Sequence, residues 1–373
     1  MMMPKVLANY LPQFHQIPEN DRWWGEGFTD WTAMKNARPM FEGHVQPKVP
    51  LNGCYDLADP QVIRQQTELA KEYGIYGFAI YHYWFHSNLK LLEKPSENLL
   101  KQPDLDTHYL FLWDNATWTR TWCQLRRKND WAPVYDSKQQ DESDDGVLAE
   151  LQYGDKKDWK IHFDYLLPFF KDGRYIKIDN KPVFGFLNAS IVKDRIILTE
   201  MCEYWNELAI AAGFDGMYCM GREAHWHNYF TNRFLFGPFL VNRFRNALIH
   251  KLKDEFKMRT TKIRFYTYEE CWNEELTNAR LTGKGTMLHG FVDFDDSPRK
   301  GEQGRIVTGA SPEKFERYMG KLLQIAREKE SRYVFVSAWN EWGENSCLEP
   351  DTIHQYAYLE ALKRAIDKQI AVR

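Results

Sequence analysis

The stretch Tyr333–Asp351, YVFVSAWNEWGENSCLEPD, decides how the chain is read. Its first half is a short apolar run, rich in β-branched and aromatic residues, of the kind that forms a buried strand. It then stops at Asn340 and presents two acids, Glu341 and Glu344, with Trp342 and Gly343 between them. Residues three apart on a continuing strand point to opposite faces, so the two carboxyls share a pocket only if the chain turns there. Gly343 permits the turn. Brought together, the pair would lie roughly 5–8 Å apart, the separation used by paired carboxylates in glycosidic-bond chemistry. Burial and mutual repulsion would split their proton affinities into one acid and one base. Trp339 and Trp342 supply apolar walls that suit a sugar ring.

Seven more runs of the same type precede this one: VLANYL from Val6, IYGFAIYHYW from Ile75, YLFLWDN from Tyr109, PVFGFLN from Pro182, GMYCMG from Gly216, FLFGPFL from Phe234 and HGFVDF from His289. Amphipathic helical patterns lie between most of them. In 311–330, Phe315, Met319, Leu322 and Ala326 share one face behind an N-cap Ser311 and Pro312. In 194–213 the face is Ile197, Met201, Trp205, Leu208 and Ala212, ending at Gly213. A third helix opens with Asp59 and Pro60 and closes on Gly74. Strands apolar on both faces that alternate with helices imply a helix-covered parallel sheet, and eight such units imply a closed (β/α)8 TIM barrel of the α/β class. No GxGxxG or GxxxxGK[ST] turn follows the first strand, which argues against a doubly wound nucleotide-binding fold. All 373 residues are assigned to this one domain with extended loops, including a polar surface loop near 136–150 and a helical insertion near 241–280.

The composition narrows the partners. A net charge of −3 argues against a nucleic-acid ligand. No run is long enough to span a bilayer. The N-terminal apolar run, broken by Asn9 and Pro12, reads as a strand and not as a signal peptide, and the six cysteines form no CxxC pair, so the expected compartment is the cytoplasm. Aromatics make up 15% of the chain, more than a core needs, and such surplus commonly stacks on flat ligands, sugars among them. No HExxH, zinc spacing or GxSxG elbow is present, so neither a metal nor a cofactor is expected.

Active sites of such barrels stand at the C-terminal ends of the strands. There the sequence offers Tyr10, Gln13, His15, His82, Tyr83, Trp84, Asp114, Asn115, Trp118, Arg120, Arg222, Asp295, Trp339, Asn340 and Trp342 as substrate-binding candidates, beside Glu341 and Glu344 as the catalytic pair. Trp31 belongs to a long aromatic segment that either packs over the barrel mouth or joins the groove.

The motifs YLPQFHQIPENDRWWGEGFTDW, GFAIYHYWF, LLEKPSENLL, WDNATWTRTW, DNKPVF, DDSPR and AWNEWGENSCLEPD, in this order and over nearly the whole chain, resemble the WbsX-like proteins, a bacterial group similar to glycoside hydrolase family 99. The resemblance implies a (β/α)8 barrel acting on glycosidic bonds. It makes Glu344 the general acid/base at the glycosidic oxygen. Glu341 would deprotonate the sugar's own 2-hydroxyl, giving an anhydro-sugar intermediate and net retention; the spacing itself also fits other retaining or inverting routes. Tyr10, His15, Trp31, His82, Tyr83 and Arg120 would line the sugar subsites. The chain departs from the pattern at Ala116, where a family acid is expected and Asp114 stands two positions earlier, at Asn345 in place of Gly, and at Asp296 in place of Asn. The resulting expectation is a retaining hydrolase of an α-linked, mannose-type oligosaccharide. The alternatives are a glycosyltransferase of lipopolysaccharide, O-antigen or other cell-surface polysaccharide assembly and an inactive carbohydrate-binding barrel.

Overall fold

The computed structural model describes residues 3–119, 146–189, 195–222, 230–238 and 263–371. Eight parallel strands form the sheet: β1 Lys5–Tyr10, β2 Gly77–His86, β3 His108–Trp113, β4 Lys181–Phe186, β5 Tyr218–Arg222, β6 Asn232–Phe234, β7 Leu288–Phe291 and β8 Tyr333–Ser337. Their spatial order runs β6-β5-β4-β3-β2-β1-β8-β7. The ring is completed by a single parallel bridge, Phe234 to Met287, with Leu235 N–H donating to Met287 O at 3.0 Å. A (β/α)8 barrel therefore holds, with its weakest seam between β6 and β7. The eight strands fall on the eight apolar runs, although β6 begins at Asn232, ahead of the run expected there.

Helices α1 Pro60–Glu72, α2 Lys94–Leu100, α3 Lys156–Lys171, α4 Arg195–Ala211, α5 Tyr268–Leu281, α6 Pro312–Glu328 and α7 Ala357–Ala371 surround the strands. The caps act as the sequence predicts. Asp59 accepts from Gln61 N–H at 2.9 Å and Ser311 from Lys314 N–H at 3.3 Å. In α6, Phe315, Met319, Leu322 and Ala326 are all buried, each large side chain adding roughly 1.5–3 kcal/mol of burial. The stripe of α4 is rotated from the expected one: Leu198, Met201, Cys202, Trp205 and Ala209 are buried, while Ile197 and Leu208 are only partly so.

Two loop assignments change. Residues 136–145 and 239–262 lie outside the described residues. Within the remainder, Val147–Ala149 is not open loop but pairs antiparallel with Trp118–Thr119. Tyr268–Leu281 is no insertion: it is the covering helix between β6 and β7, opened by a capping box in which Thr267 Oγ1 accepts from Glu270 N–H at 3.2 Å.

Inside the barrel, small residues make room for large ones. A Cβ on Gly185 of β4 would sit 2.4 Å from Leu112 Cδ2 and 3.1 Å from Met220 Cε, so the interior there is already full. Side chains of consecutive strand residues alternate between this interior and the helix layer. That alternation decides which side chains reach the mouth.

Candidate active site

The site starts where β8 ends. Asn340 clamps the exit of β1, accepting from Leu11 N–H at 2.8 Å and donating to Leu11 O at 3.0 Å. Asn340–Glu341 then pairs antiparallel with Ser346–Cys347, and between them Trp342–Glu344 makes one 3-10 turn. Asn345 closes the turn in the left-handed region at φ 52°, which Asn tolerates, and its side chain donates to Asp295 at 3.2 Å. The chain thus reverses within a few residues and carries Glu341 and Glu344 to one side. Gly343 is needed for space and not for its φ: a Cβ there would lie 2.5 Å from Arg299 Nε and 3.0 Å from Asp30 Oδ2.

Arg299 fills that space and joins the pair. Its Nη1 donates to Glu344 Oε1 at 3.0 Å, and its Nη2 to Glu341 Oε2 at 3.2 Å. Asp30 holds it from behind, at 2.9 Å from Nη2 and 3.3 Å from Nε. Bonded to the two terminal nitrogens of one guanidinium, the two carboxylates are held close to each other. Arg299 reaches them because Asp295 and Asp296 shape the segment before it. Asp295 Oδ1 accepts from Ser297 N–H at 2.9 Å, and Asp295 N–H donates to Glu344 O at 2.8 Å, tying the two loops together.

Three carboxyls share one guanidinium, and Asp30, Arg299 and Glu341 are buried, whereas the Glu344 side chain is 31% exposed. Burial drives the Glu341 carboxyl up to about 8; Arg299 opposes this, and Glu344 and Asp30 add to it. Burial and the neighbouring acids thus favour the protonated form of Glu341, the direction expected when like charges crowd a site of low polarity.

Glu341, Glu344 and Arg299 form one wall of a cavity of about 240 Å³ at the C-terminal end of the strands. Facing them are Gln13, Tyr81, Tyr83, Asp114, Arg222 and Phe236, with Phe294 and Ser337 also in the lining. Gln13 Nε2 donates to Tyr83 Oη at 2.9 Å. Burial raises the Asp114 carboxyl to about 6, although Trp118 Nε1 at 3.3 Å and Asn188 Nδ2 at 2.6 Å donate to it and Arg222 lies near.

Of the residues the sequence singles out, Gln13, Tyr83, Asp114, Arg222, Glu341 and Glu344 line the cavity. Others do not, and the period of a strand explains most of them. On β2 the alternation sends Tyr81 and Tyr83 inward and His82 and Trp84 outward. His82 Nε2 lies 2.8 Å from His162 Nε2 of α3, and Trp84 stacks on the His162 ring at 4.2 Å. Tyr10 likewise points to the helix layer, donating to Gln66 of α1 at 2.7 Å. His15 is buried away from the lining, its Nδ1 without a hydrogen-bond partner among the described residues, and burial lowers its proton affinity. Trp31, Trp339 and Trp342 form a second layer behind the acids. Trp31 packs on Phe14, at 4.2 Å, and Trp342, at 6.2 Å, and Trp339 packs on Phe78 at 5.5 Å. Trp118 packs on Tyr83 at 4.9 Å and braces Asp114, while Asn115 accepts from Asn188 N–H at 2.8 Å. Asn340 is the clamp on Leu11 described above. Asp295 also accepts from His44 and Gln46, at 2.8 and 2.6 Å, instead of facing a ligand. Arg120 lies outside the described residues.

Asp30, Tyr81, Phe236 and Glu349 were not singled out. Glu349 is half-buried behind Trp342, accepting from Tyr55 Oη at 2.7 Å, Gln66 Nε2 at 2.7 Å and Trp342 Nε1 at 2.9 Å. The departures from the family pattern have local partners. Asp296 is ion-paired with Arg305 at 3.0 Å and Lys300 at 3.1 Å, and Asn345 replaces glycine at a left-handed position while bonding Asp295.

A family model described as "Glycosyltransferase WbsX" matches residues 6–362. The protein WxcX, uncharacterised, from Xanthomonas campestris pv. campestris strain B100 is 28% identical over 384 residues, which cover 97% of this chain and 50% of that one. The chain spans about half the length of this curated relative. Among solved structures, a GH99 endo-alpha-mannosidase from Bacteroides thetaiotaomicron aligns over 98% of this chain and 97% of its own, with a TM-score of 0.56 at 12% identity. A glycoside hydrolase-like protein aligns over 98% and 94%, with a TM-score of 0.57 at 14% identity. At such identities the likeness concerns the fold.

Proposed function

The chain belongs to the WbsX glycosyltransferase family, and from that premise we propose that it makes or breaks an α-glycosidic bond with Glu341 and Glu344 as its proton-transfer pair. One observation carries this reading: two carboxyls bonded to a single buried guanidinium in the wall of a cavity at the C-terminal end of a barrel. Glu344, the more exposed of the two, protonates the leaving oxygen. Glu341 takes the proton of the sugar 2-hydroxyl, whose oxygen closes on the anomeric carbon. Water or an acceptor hydroxyl then opens the anhydro-sugar, returning its proton to Glu344, while the 2-oxygen recovers its own from Glu341. Net retention results. The high proton affinity of Glu341 suits a base that must act on a weakly acidic hydroxyl. The residues opposite, Gln13, Tyr81, Tyr83, Asp114 and Arg222, orient the ring.

Hydrolysis of an α-mannose-type oligosaccharide is the first form of this reading, supported by the sequence resemblance and by the GH99-like fold. Transfer in cell-surface polysaccharide assembly is the second, favoured by the description of the matching family. Both use the same pair and differ in whether water or a sugar hydroxyl is the acceptor. Incubation with aryl α-mannosides and mannose oligosaccharides releases sugar in the first case. In the second, a nucleotide-sugar is consumed only when an acceptor is supplied. Affinity for these sugars without any turnover would leave a binding barrel and end the enzymatic reading. The direction of the pH profile tests the roles: with Glu341 as base, kcat/KM rises as pH climbs toward about 8, and with Glu341 as acid it falls there.

A further inference from the structure

The floor of the cavity holds a hydroxyl whose hydrogen has one direction left. Ser337, the last residue of β8, lines the cavity beside Glu341 and Ser346. Two buried side chains converge on its Oγ: Asn9 Nδ2 at 3.0 Å and His289 Nε2 at 2.9 Å. Two groups face His289 Nδ1: the backbone N–H of Gly237 at 3.0 Å, which can only donate, and the buried Glu275 carboxylate at 3.6 Å, beyond hydrogen-bond distance; the closer donor leaves Nδ1 without a hydrogen. The imidazole proton then sits on Nε2 and points at Ser337. A serine hydroxyl has two lone pairs and one hydrogen. With the Asn9 amide donating, both lone pairs are taken, and among the described residues the hydroxyl makes no further hydrogen bond. Asn9 and His289 are fully buried, so two desolvated polar side chains and a backbone amide are arranged around a single hydroxyl at the base of the site.

We propose that Ser337 is a fixed hydrogen-bond donor in the cavity floor that reads a lone pair on a saccharide oxygen. It is a specificity-determining residue, and the inference rests on the reading of the cavity as a sugar site. A ring, hydroxyl or ether oxygen satisfies the donor. A protonated amine or a bare methylene at the same place leaves it unpaired in a desolvated site, and such sugars are rejected. His289 and Asn9 are positioning residues that set the direction of this hydrogen bond.

The geometry is tested without any ligand. A neutron structure of the deuterated protein, with two-bond 1H–15N spectra of His289, is expected to show deuterium on Nε2, none on Nδ1, and the Ser337 O–D directed into the cavity. An O–D directed at Asn9, whose Oδ1 makes no hydrogen bond among the described residues, overturns the proposal, since the opposite amide orientation would capture that hydrogen. Recognition is tested by titrating the wild-type protein with methyl α-mannoside and its monodeoxy and monodeoxyfluoro analogues. At one ring position, replacing OH by H is expected to weaken binding about three- to tenfold, whereas fluorine, which accepts but cannot donate, keeps part of it. Ser337→Ala should abolish that difference, and should the variant fail to fold, the wild-type deoxy and fluoro pair still decides. Unchanged penalties in a folded Ser337→Ala protein overturn the proposal while leaving the sugar site intact. Absence of affinity for every glycoside in the set defeats the sugar reading, and the proposal falls with it.

Discussion

Glu341 and Glu349 lie in the same loop after β8, one buried and one half-buried, and desolvation has raised the proton affinity of both carboxyls, to about 8 and about 7 respectively. Their surroundings differ. Glu341 shares a guanidinium with two other acids and opens onto a cavity, whereas Glu349 is held by three neutral donors, from Tyr55, Gln66 and Trp342, and faces the helix layer. A raised proton affinity is therefore not in itself the mark of a site here. What separates the two is a charged partner and access to a ligand. Glu349 instead fixes the back of Trp342, the residue from which the turn to Glu344 begins.

The largest expected effect comes from removing the charged partner. Arg299→Met leaves Asp30 and Glu341 buried without a cation, which should cost roughly 3–5 kcal/mol in denaturant unfolding and abolish turnover. The double change with Asp30→Asn should recover part of that stability but none of the activity. A stable, active Arg299→Met protein would show that the guanidinium does not organise the pair.

Next comes chemistry. Glu341→Gln and Glu344→Gln should each lower kcat by about 10²–10⁴, the range for lost general acid–base catalysis, with the fold unchanged by circular dichroism. Glu349→Gln should lower kcat by less than about tenfold, since it touches no substrate in this reading. Equal losses at 341 and 349 would erase the distinction between the two carboxyls.

How much of this was legible in the sequence depends on the distance over which each contact forms. The strands and the caps at Asp59 and Ser311 are local, and the pattern gives them. The turn at 342–344 is local too, so Glu341 and Glu344 stand out, although the pattern does not reveal that Gly343 makes room for Arg299 instead of supplying an unusual φ. The phase of β2 is hidden, because a strand buried on both faces is apolar and aromatic throughout. Hence the sequence offers His82 and Trp84 beside Tyr83 and passes over Tyr81. Asp30 and Arg299 meet across 269 residues, and no periodicity encodes such a contact. Ser337 reads as part of an apolar run until Asn9 and His289 are seen to converge on it.

A further effect follows from linkage. Glu341 and Glu349 have folded values above the roughly 4.3 of an unfolded glutamate, so between there and about 8 the folded chain binds more protons than the unfolded one. Their contribution to stability is complete below about pH 4.3 and is lost as pH rises through the folded values. Unfolding measured from pH 5 to 8 should accordingly show stability falling, by about 6 kcal/mol at most. Glu349→Gln should flatten part of that fall, so that its deficit relative to the wild type narrows with rising pH. A deficit constant across this range would mean that Glu349 is already ionised at pH 5.

The smallest change sharpens the comparison most directly. Trp342→Phe keeps the ring against Trp31 but removes the Nε1–H that donates to Glu349 at 2.9 Å. That bond favours the ionised carboxyl, so its loss should raise the Glu349 value further and cost about 1 kcal/mol at pH 8, less at pH 5 where the carboxyl is already protonated. Since Trp342 stands behind Glu341 and not in the cavity lining, kcat should change less than about threefold. A tenfold or greater loss of kcat with unaltered stability would instead mean that Glu349 acts on the acid pair through the Trp342 turn, and the two carboxyls would then be parts of one device.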